Sequence, residues 1–318
     1  MAHKRYTSGF TLMELMIALA LGLLIVAAGL AVFLSSQRSL NLQSGMSELQ
    51  QNANFGLSLV THDLRHTNLN TASSHRVNDD DKGSGIIFKK ENLPSTLQAP
   101  ANLEAEFVTL QNKDTDNTTG KSDRLTIQYV PASSEIFNCE GVQVTNASSK
   151  TIVQRYYVAE SPQQVTGEPT SYSLYCDAAY YDDAGLVGLD DNAQQIMQRV
   201  DAFKVRLGVK KPADPLPQFR YMTINQYIAE MDAIRAACAT RTDGDTCSKN
   251  YLNVVSMDIG ILSRSTGTIG ANANLNTPTR FNVAGTPVTL SGDVAVNKRY
   301  LRQAVNQVVA IRNTLGAS

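Results

Sequence analysis

The segment His-Asp-Leu-Arg-His, residues 62–66, sets two imidazoles four residues apart, the spacing at which one helix face offers both to a zinc ion. In zinc proteases with this spacing, the residue after the first histidine is a glutamate acting as general base. Here it is Asp63, one methylene shorter, and no third ligand is evident in the sequence. His62 and His66 therefore read as surface histidines at a helix end, with no metal assigned. Gly120-Lys121-Ser122 ends like a phosphate-binding loop, but Thr115 stands where that loop requires its first glycine. Acidic segments at 78–83, 114–120, 180–191 and 241–246 offer oxygen ligands, yet none keeps the calcium-loop spacing, and they read as solvated turns. No nucleophile elbow and no defensible carboxylate pair is present. The sequence assigns no catalytic residue, no cofactor and no enzymatic activity.

A different carboxylate demands explanation. Glu14 sits at the start of a long apolar run, and the twenty residues from Leu15 to Leu34 carry no charge. At 1.5 Å per residue they make roughly 30 Å of helix, the thickness of a bilayer's hydrocarbon core. Lys4 and Arg5 precede the run without an acid, so the N-terminus is expected in the cytoplasm and everything after Leu34 on the far side of the membrane. The run is too long for a cleaved secretory signal, and Ser35-Ser36-Gln37 is a poor cleavage site for one. A plain signal anchor fits the length but leaves Glu14 unexplained, since an ionised acid in hydrocarbon costs several kcal/mol, on the order of 3 at a helix centre.

The junction Gly9-Phe10-Thr11-Leu12-Met13-Glu14 resembles the signal of type IV pilins and type II secretion pseudopilins. The resemblance implies that a prepilin peptidase cuts between Gly9 and Phe10 and methylates the Phe10 amine, leaving Glu14 as the fifth mature residue. It also implies that Glu14 pairs with the free Phe10 amine of a neighbouring subunit, which would offset the charge in lipid. Leader removal takes Lys4 and Arg5 with it.

Further stretches resemble one subgroup, the PilW-like minor pilins. They are His62–Asn68, the cysteine segments at Cys139-Glu140-Gly141 and Leu174–Asp177, and the run Val200-x-x-Phe203-x-Val205-x-x-Gly208. The two C-terminal segments ending at Arg264-Ser265 and Ile311-Arg312-Asn313 belong with them. One departure is His66-Thr67-Asn68, where that family tends to have Ala-Gly. The proline that major pilins usually carry in the apolar half is missing, and Gly22 and Gly29 are there instead.

These elements imply an order. Past Leu34 the composition turns polar while Met46, Leu49, Ala53, Leu57, Val60 and Leu64 form one helical stripe, and no proline occurs before Pro94. One helix from residue 10 to about residue 66 is predicted, with its second half laid on a globular domain. Apolar runs of β character follow at 85–88, 105–110, 123–130, 151–159, 171–176, 202–209 and 251–265, with helical spacing between the last two at Ile224, Tyr227, Ile228, Met231 and Ile234. Residues 297–313 fit helix or strand equally. The fold class is α+β: a long N-terminal helix packed on an antiparallel sheet. The divisions are a leader at 1–9, a transmembrane half at 10–34, an amphipathic half at 35–70 and a periplasmic globular domain at 71–318.

With 318 residues the chain can bury a core without metal, and a net charge of -1 argues against nucleic-acid binding. The four cysteines, Cys139, Cys176, Cys238 and Cys247, all follow the apolar run, so the topology places them in an oxidising compartment. None forms the tight pairs zinc prefers. Three disulfide connectivities are open; the parsimonious one joins Cys139 to Cys176 and Cys238 to Cys247.

The function implied is that of a minor pilin priming or capping type IV pilus assembly. Its partners would be other minor and major pilins, a tip adhesin, the inner-membrane assembly platform and the prepilin peptidase, with membrane lipid around the helix beforehand. A single-pass inner-membrane location would precede the filament or its tip. Two alternatives stand beside it: a type II secretion minor pseudopilin, and a periplasmic binding or enzymatic domain on an ordinary signal anchor.

Overall fold

The structure is a computed structural model describing residues 9–71, 76–98, 107–114, 118–119, 121–189, 192–211, 219–239, 250–268, 278–292 and 300–314. Helix α1 runs from Leu12 to Leu64, 53 residues and roughly 80 Å. It passes through Gly22 and Gly29 without a break. Its second half buries Leu49, Ala53, Gly56, Leu57, Val60, Thr61 and Leu64. Leu57, Val60 and Leu64 each contribute roughly 1.5–3 kcal/mol through that burial. Met46, expected at the head of the stripe, remains 41% exposed, so the docked face begins one turn later.

The helix stops at Leu64, close to the end predicted at about residue 66, and beyond it Asn68 and Asn70 adopt left-handed backbone angles (φ 66° and 49°) that reverse the chain. The Asn68 side chain accepts from the Gly85 N–H at 2.9 Å. A Cβ on Gly85 would lie 2.4 Å from the Asn68 nitrogen, so only glycine permits this approach.

The strands are β1 (Leu110–Asp114), β2 (Ser122–Tyr129), β3 (Glu135–Phe137), β4 (Gln143–Thr145), β5 (Thr151–Glu160), β6 (Tyr172–Asp182) and β7 (Gly185–Val187). They continue as β8 (Gln194–Gln198), β9 (Val200–Lys210), β10 (Arg220–Thr223), β11 (Asn253–Thr268), β12 (Arg280–Val283), β13 (Thr286–Thr289) and β14 (Tyr300–Ala310). Helix α2 (Ile224–Ala239) follows β10 and buries Ile224, Tyr227 and Met231. One antiparallel sheet has the order β1-β2-β5-β6-β7 with β8 also on β6; a second has the order β10-β9-β11-β14. Hairpins β3–β4 and β12–β13 stand apart. The ambiguous C-terminal segment is strand, paired along β11 from Ser256↔Ala310 to Thr268↔Tyr300. The run at 85–88 forms no strand: Ile86 makes an isolated bridge to Ile127.

One hydrophobic cluster joins α1, both sheets and α2, with Leu57, Val60, Tyr156, Leu174, Phe203, Ile259 and Tyr227 among its members, and smaller clusters lie beside it. The two sheets are stitched at one buried ion pair. Asp123 on β2 accepts from Lys204 Nζ at 3.2 Å and from the backbone N–H groups of Val205 and Asn112, each at 2.9 Å. Burial pushes the Asp123 carboxyl up, and Lys204 pulls against that shift. Lys204 also donates to Asn112 Oδ1 and to the Lys121 carbonyl. Lys121 and Ser122, which ended the apparent phosphate loop, are thus structural: the Ser122 hydroxyl accepts from the Phe203 N–H at 2.8 Å. Gly208 on β9 makes room for Ser256 Oγ and the Phe219 ring, which a Cβ would meet at 2.1 and 2.8 Å.

Candidate functional site

The chain's most unusual surface is the first half of α1. Leu12, Leu19, Leu24, Ile25, Val32 and Phe33 are all exposed, and among the described residues nothing in the globular domain covers this half. So large a contiguous apolar face exceeds the few hundred Å² that soluble monomers expose, and marks a surface meant for lipid or other chains. By length and composition this segment is able to cross a membrane.

At its start Thr11 is the N-cap. The Thr11 hydroxyl accepts from the Glu14 N–H at 3.2 Å, while the Glu14 carboxylate accepts from the Thr11 N–H and from the Thr11 hydroxyl, both at 3.0 Å. This capping box satisfies two of the helix's orphan donors. Thr-x-x-Glu before an apolar run is the sequence signature of such a cap, so Thr11 in the junction has a local task of its own. Gly9 and Phe10 lie outside the helix; Phe10 is 90% exposed and Gly9 has open space around it. The bond between them is an accessible, non-helical peptide.

At its other end α1 meets the C-terminus of the chain. Asn313 Nδ2 donates to the carbonyls of Thr67 at 3.0 Å and Arg65 at 3.3 Å, and Asn68 Nδ2 donates to the Asn313 carbonyl at 3.4 Å. The segments at 62–68 and 311–313, far apart in sequence, are therefore one junction, where Asn313 caps carbonyls that the helix leaves open. Here His62, Asp63 and His66 also converge, with one ligand atom from each within 4.8 Å of the others. The Tyr156 hydroxyl donates to Asp63 Oδ2 at 2.7 Å, and the His66 ring stacks on Tyr129 at 5.4 Å. Burial and the nearby His62 hold the His66 imidazole below its usual pKa, which favours the neutral ring. His66 is half-buried rather than on the surface, and Asp63 supplies the third donor that the sequence did not reveal.

Residues 4–30 match the prokaryotic N-terminal methylation motif, and residues 155–313, half of the 318, match the family described as Type IV Pilus-assembly protein W, PilW. The chain belongs to the PilW family. A type IV-like pilin from Thermus thermophilus is similar in structure at 11% identity and a TM-score of 0.37, over 86% of this chain and 98% of that one. No curated protein sequence matches the chain.

In this PilW-family chain the matched region begins in β5 and takes in β9, α2, β11 and β14. Cys139 and Cys176 form a disulfide, with Cα atoms 6.2 Å apart, that ties the β3–β4 hairpin to β6. Beside it the Glu140 carboxylate accepts from the Ala178 N–H at 2.9 Å. Cys238, near the end of α2, is also disulfide-bonded; Cys247 lies outside the described residues.

The acidic turn at 78–83 is occupied by the protein's own cations. Asp79 is buried, receives a bidentate pair from Arg235 on α2 at 2.8 Å for each bond, and contacts Lys89 Nζ at 3.0 Å. Asn78 Oδ1 accepts from the N–H groups of Asp80 and Asp81, which fixes the turn. Asp182 likewise accepts from the Ala184 N–H in the β6–β7 turn. The acidic segment at 241–246 lies outside the described residues, as do parts of those at 114–120 and 180–191.

Proposed function

We propose that this PilW-family protein is a minor pilin that primes or caps a type IV pilus. In this reading residues 1–9 are a leader, 10–34 the membrane half of α1, 35–70 its amphipathic half and junction, and 71–318 the globular domain. Prepilin peptidase cleaves between Gly9 and Phe10 and methylates Phe10, and the formal charge moves from -1 to -3 as Lys4 and Arg5 leave. The apolar half then leaves the lipid for a bundle with other pilin helices, where small residues such as Ala18, Gly22 and Ala28 admit close approach. Glu14 faces the Phe10 amine of a neighbour and sets register. The N-terminus stays cytoplasmic and the globular domain periplasmic. The assembly platform and a tip adhesin are the further contacts.

The observation that carries this reading is the uncovered apolar half of α1, continuous with a half that is docked on the domain. Among the described residues, the first half of the helix has no folded partner within its own chain. The test is the mass of the N-terminal peptide from membranes of cells with and without prepilin peptidase. A peptide beginning at methylated Phe10, seen only with the enzyme, is the expected result. An unprocessed terminus in both strains would reduce the chain to a membrane-anchored domain.

A further inference from the structure

We propose that His62, Asp63 and His66 form a binding site for one divalent transition-metal ion of the zinc type at the C-terminal end of α1. Three ligand atoms lie within 4.8 Å of one another, against the roughly 3.3 Å separation that bonds of about 2.0–2.1 Å impose around tetrahedral zinc. His62 Nδ1 already lies 3.3 Å from Asp63 Oδ1, and the His62 side chain, 72% exposed, makes the remaining adjustment toward His66. The other two donors are held. Tyr156 donates to Asp63 Oδ2 at 2.7 Å, the kind of outer hydrogen bond that orients a ligating carboxylate. His66 is fixed by stacking on Tyr129, and its buried Nδ1 has no hydrogen-bond partner.

Two imidazoles and one carboxylate suit zinc, nickel or copper rather than calcium or magnesium. The negative end of α1 adds a field that favours a cation. The fourth position would face solvent beside His62. Asp63 is a ligand in this arrangement, so the site has no base to activate a bound water, and its role is structural. It fixes the end of the long helix where Asp63 and His66 already meet Tyr156 on β5 and Tyr129 on β2.

The test uses untagged full-length protein in detergent, stripped with chelator and titrated with zinc by calorimetry, with metal content read after dialysis. One zinc per chain is expected, with a thermal midpoint that rises with zinc. His62→Ala, exposed and therefore harmless to folding, should remove both effects. Tyr156→Phe should weaken binding about tenfold or more by releasing Asp63. Equal zinc binding, or an equal thermal shift, in the parent and His62→Ala proteins would overturn the proposal, as would no binding in the parent.

Discussion

At the scale of single residues, Glu14 carries two separable tasks. Within one chain its carboxylate completes the capping box with Thr11; in the proposed filament it pairs with a neighbour's amine. A glutamine can serve the capping box but carries no charge. Glu14→Gln should thus leave processing and the helix start intact while reducing incorporation into filaments, measured by immunoblotting sheared pili against membranes. Thr11→Ala removes the cap alone, costs about 0.5–2 kcal/mol at the helix end, and should leave incorporation near the parent level. Normal incorporation of Glu14→Gln alongside failure of Thr11→Ala would assign the whole effect to the cap. The sequence announced Glu14 through its position beside Gly9 and Phe10. It also contained the cap, because Thr-x-x-Glu is a local pattern. The clustering of Asp63 with His62 and His66 was harder to see: adjacent residues on an ideal helix diverge, yet Asp63 meets His62 Nδ1 at 3.3 Å through one oxygen and the Tyr156 hydroxyl through the other.

Among the elements, α1 was the most legible, since its period and lack of proline fix a long helix. What periodicity could not convey is how tightly its docked half is fitted. Gly56, a poor helix former, sits where β8 crosses; a Cβ there would meet Met197 Sδ at 2.9 Å and Met197 Cβ at 3.1 Å. Gly56→Leu should lift the helix from β8 and lower the thermal midpoint of the full-length protein in detergent. Met197→Ala should restore part of the loss when combined with it. A double mutant no more stable than Gly56→Leu would show that the clash lies elsewhere. The β14 segment was ambiguous because its residues are mostly half-buried, giving neither period clearly; long pairing with β11 decides it. The run at 85–88 has strand-like residues and bonds to β2 through the Ile87 N–H and the Gly85 carbonyl, but Asn68 held against Gly85 limits the pairing to one isolated bridge, Ile86 to Ile127. Short hairpins such as β12–β13 went unread because four-residue strands carry too little pattern.

On the scale of the whole molecule, the proposed role requires the globular part to hold firm while the uncovered half of α1 exchanges one environment for another. Its rigidity depends on how the two sheets are joined, and beside the shared apolar core that join has a buried polar part. Asp123 and Lys204 are both buried, so each is tolerable only because of the other and of the backbone groups around them. Their partners differ in kind. Removing Lys204 leaves Asp123 with the Val205 and Asn112 N–H groups; removing Asp123 leaves those two donors and an ammonium without their shared acceptor. Lys204 keeps Asn112 Oδ1 and the Lys121 carbonyl. Both Lys204→Met and Asp123→Ala should destabilise by about 3–5 kcal/mol. Asp123→Ala should be the worse of the two, because two unpaired backbone donors add to the unpaired charge. Thermal unfolding of the full-length protein in detergent measures the order. If Lys204→Met proved the more harmful, the uncompensated carboxylate would outweigh the lost backbone bonds, and the join would be held by charge rather than by the hydrogen bonds that cross from β2 to β9.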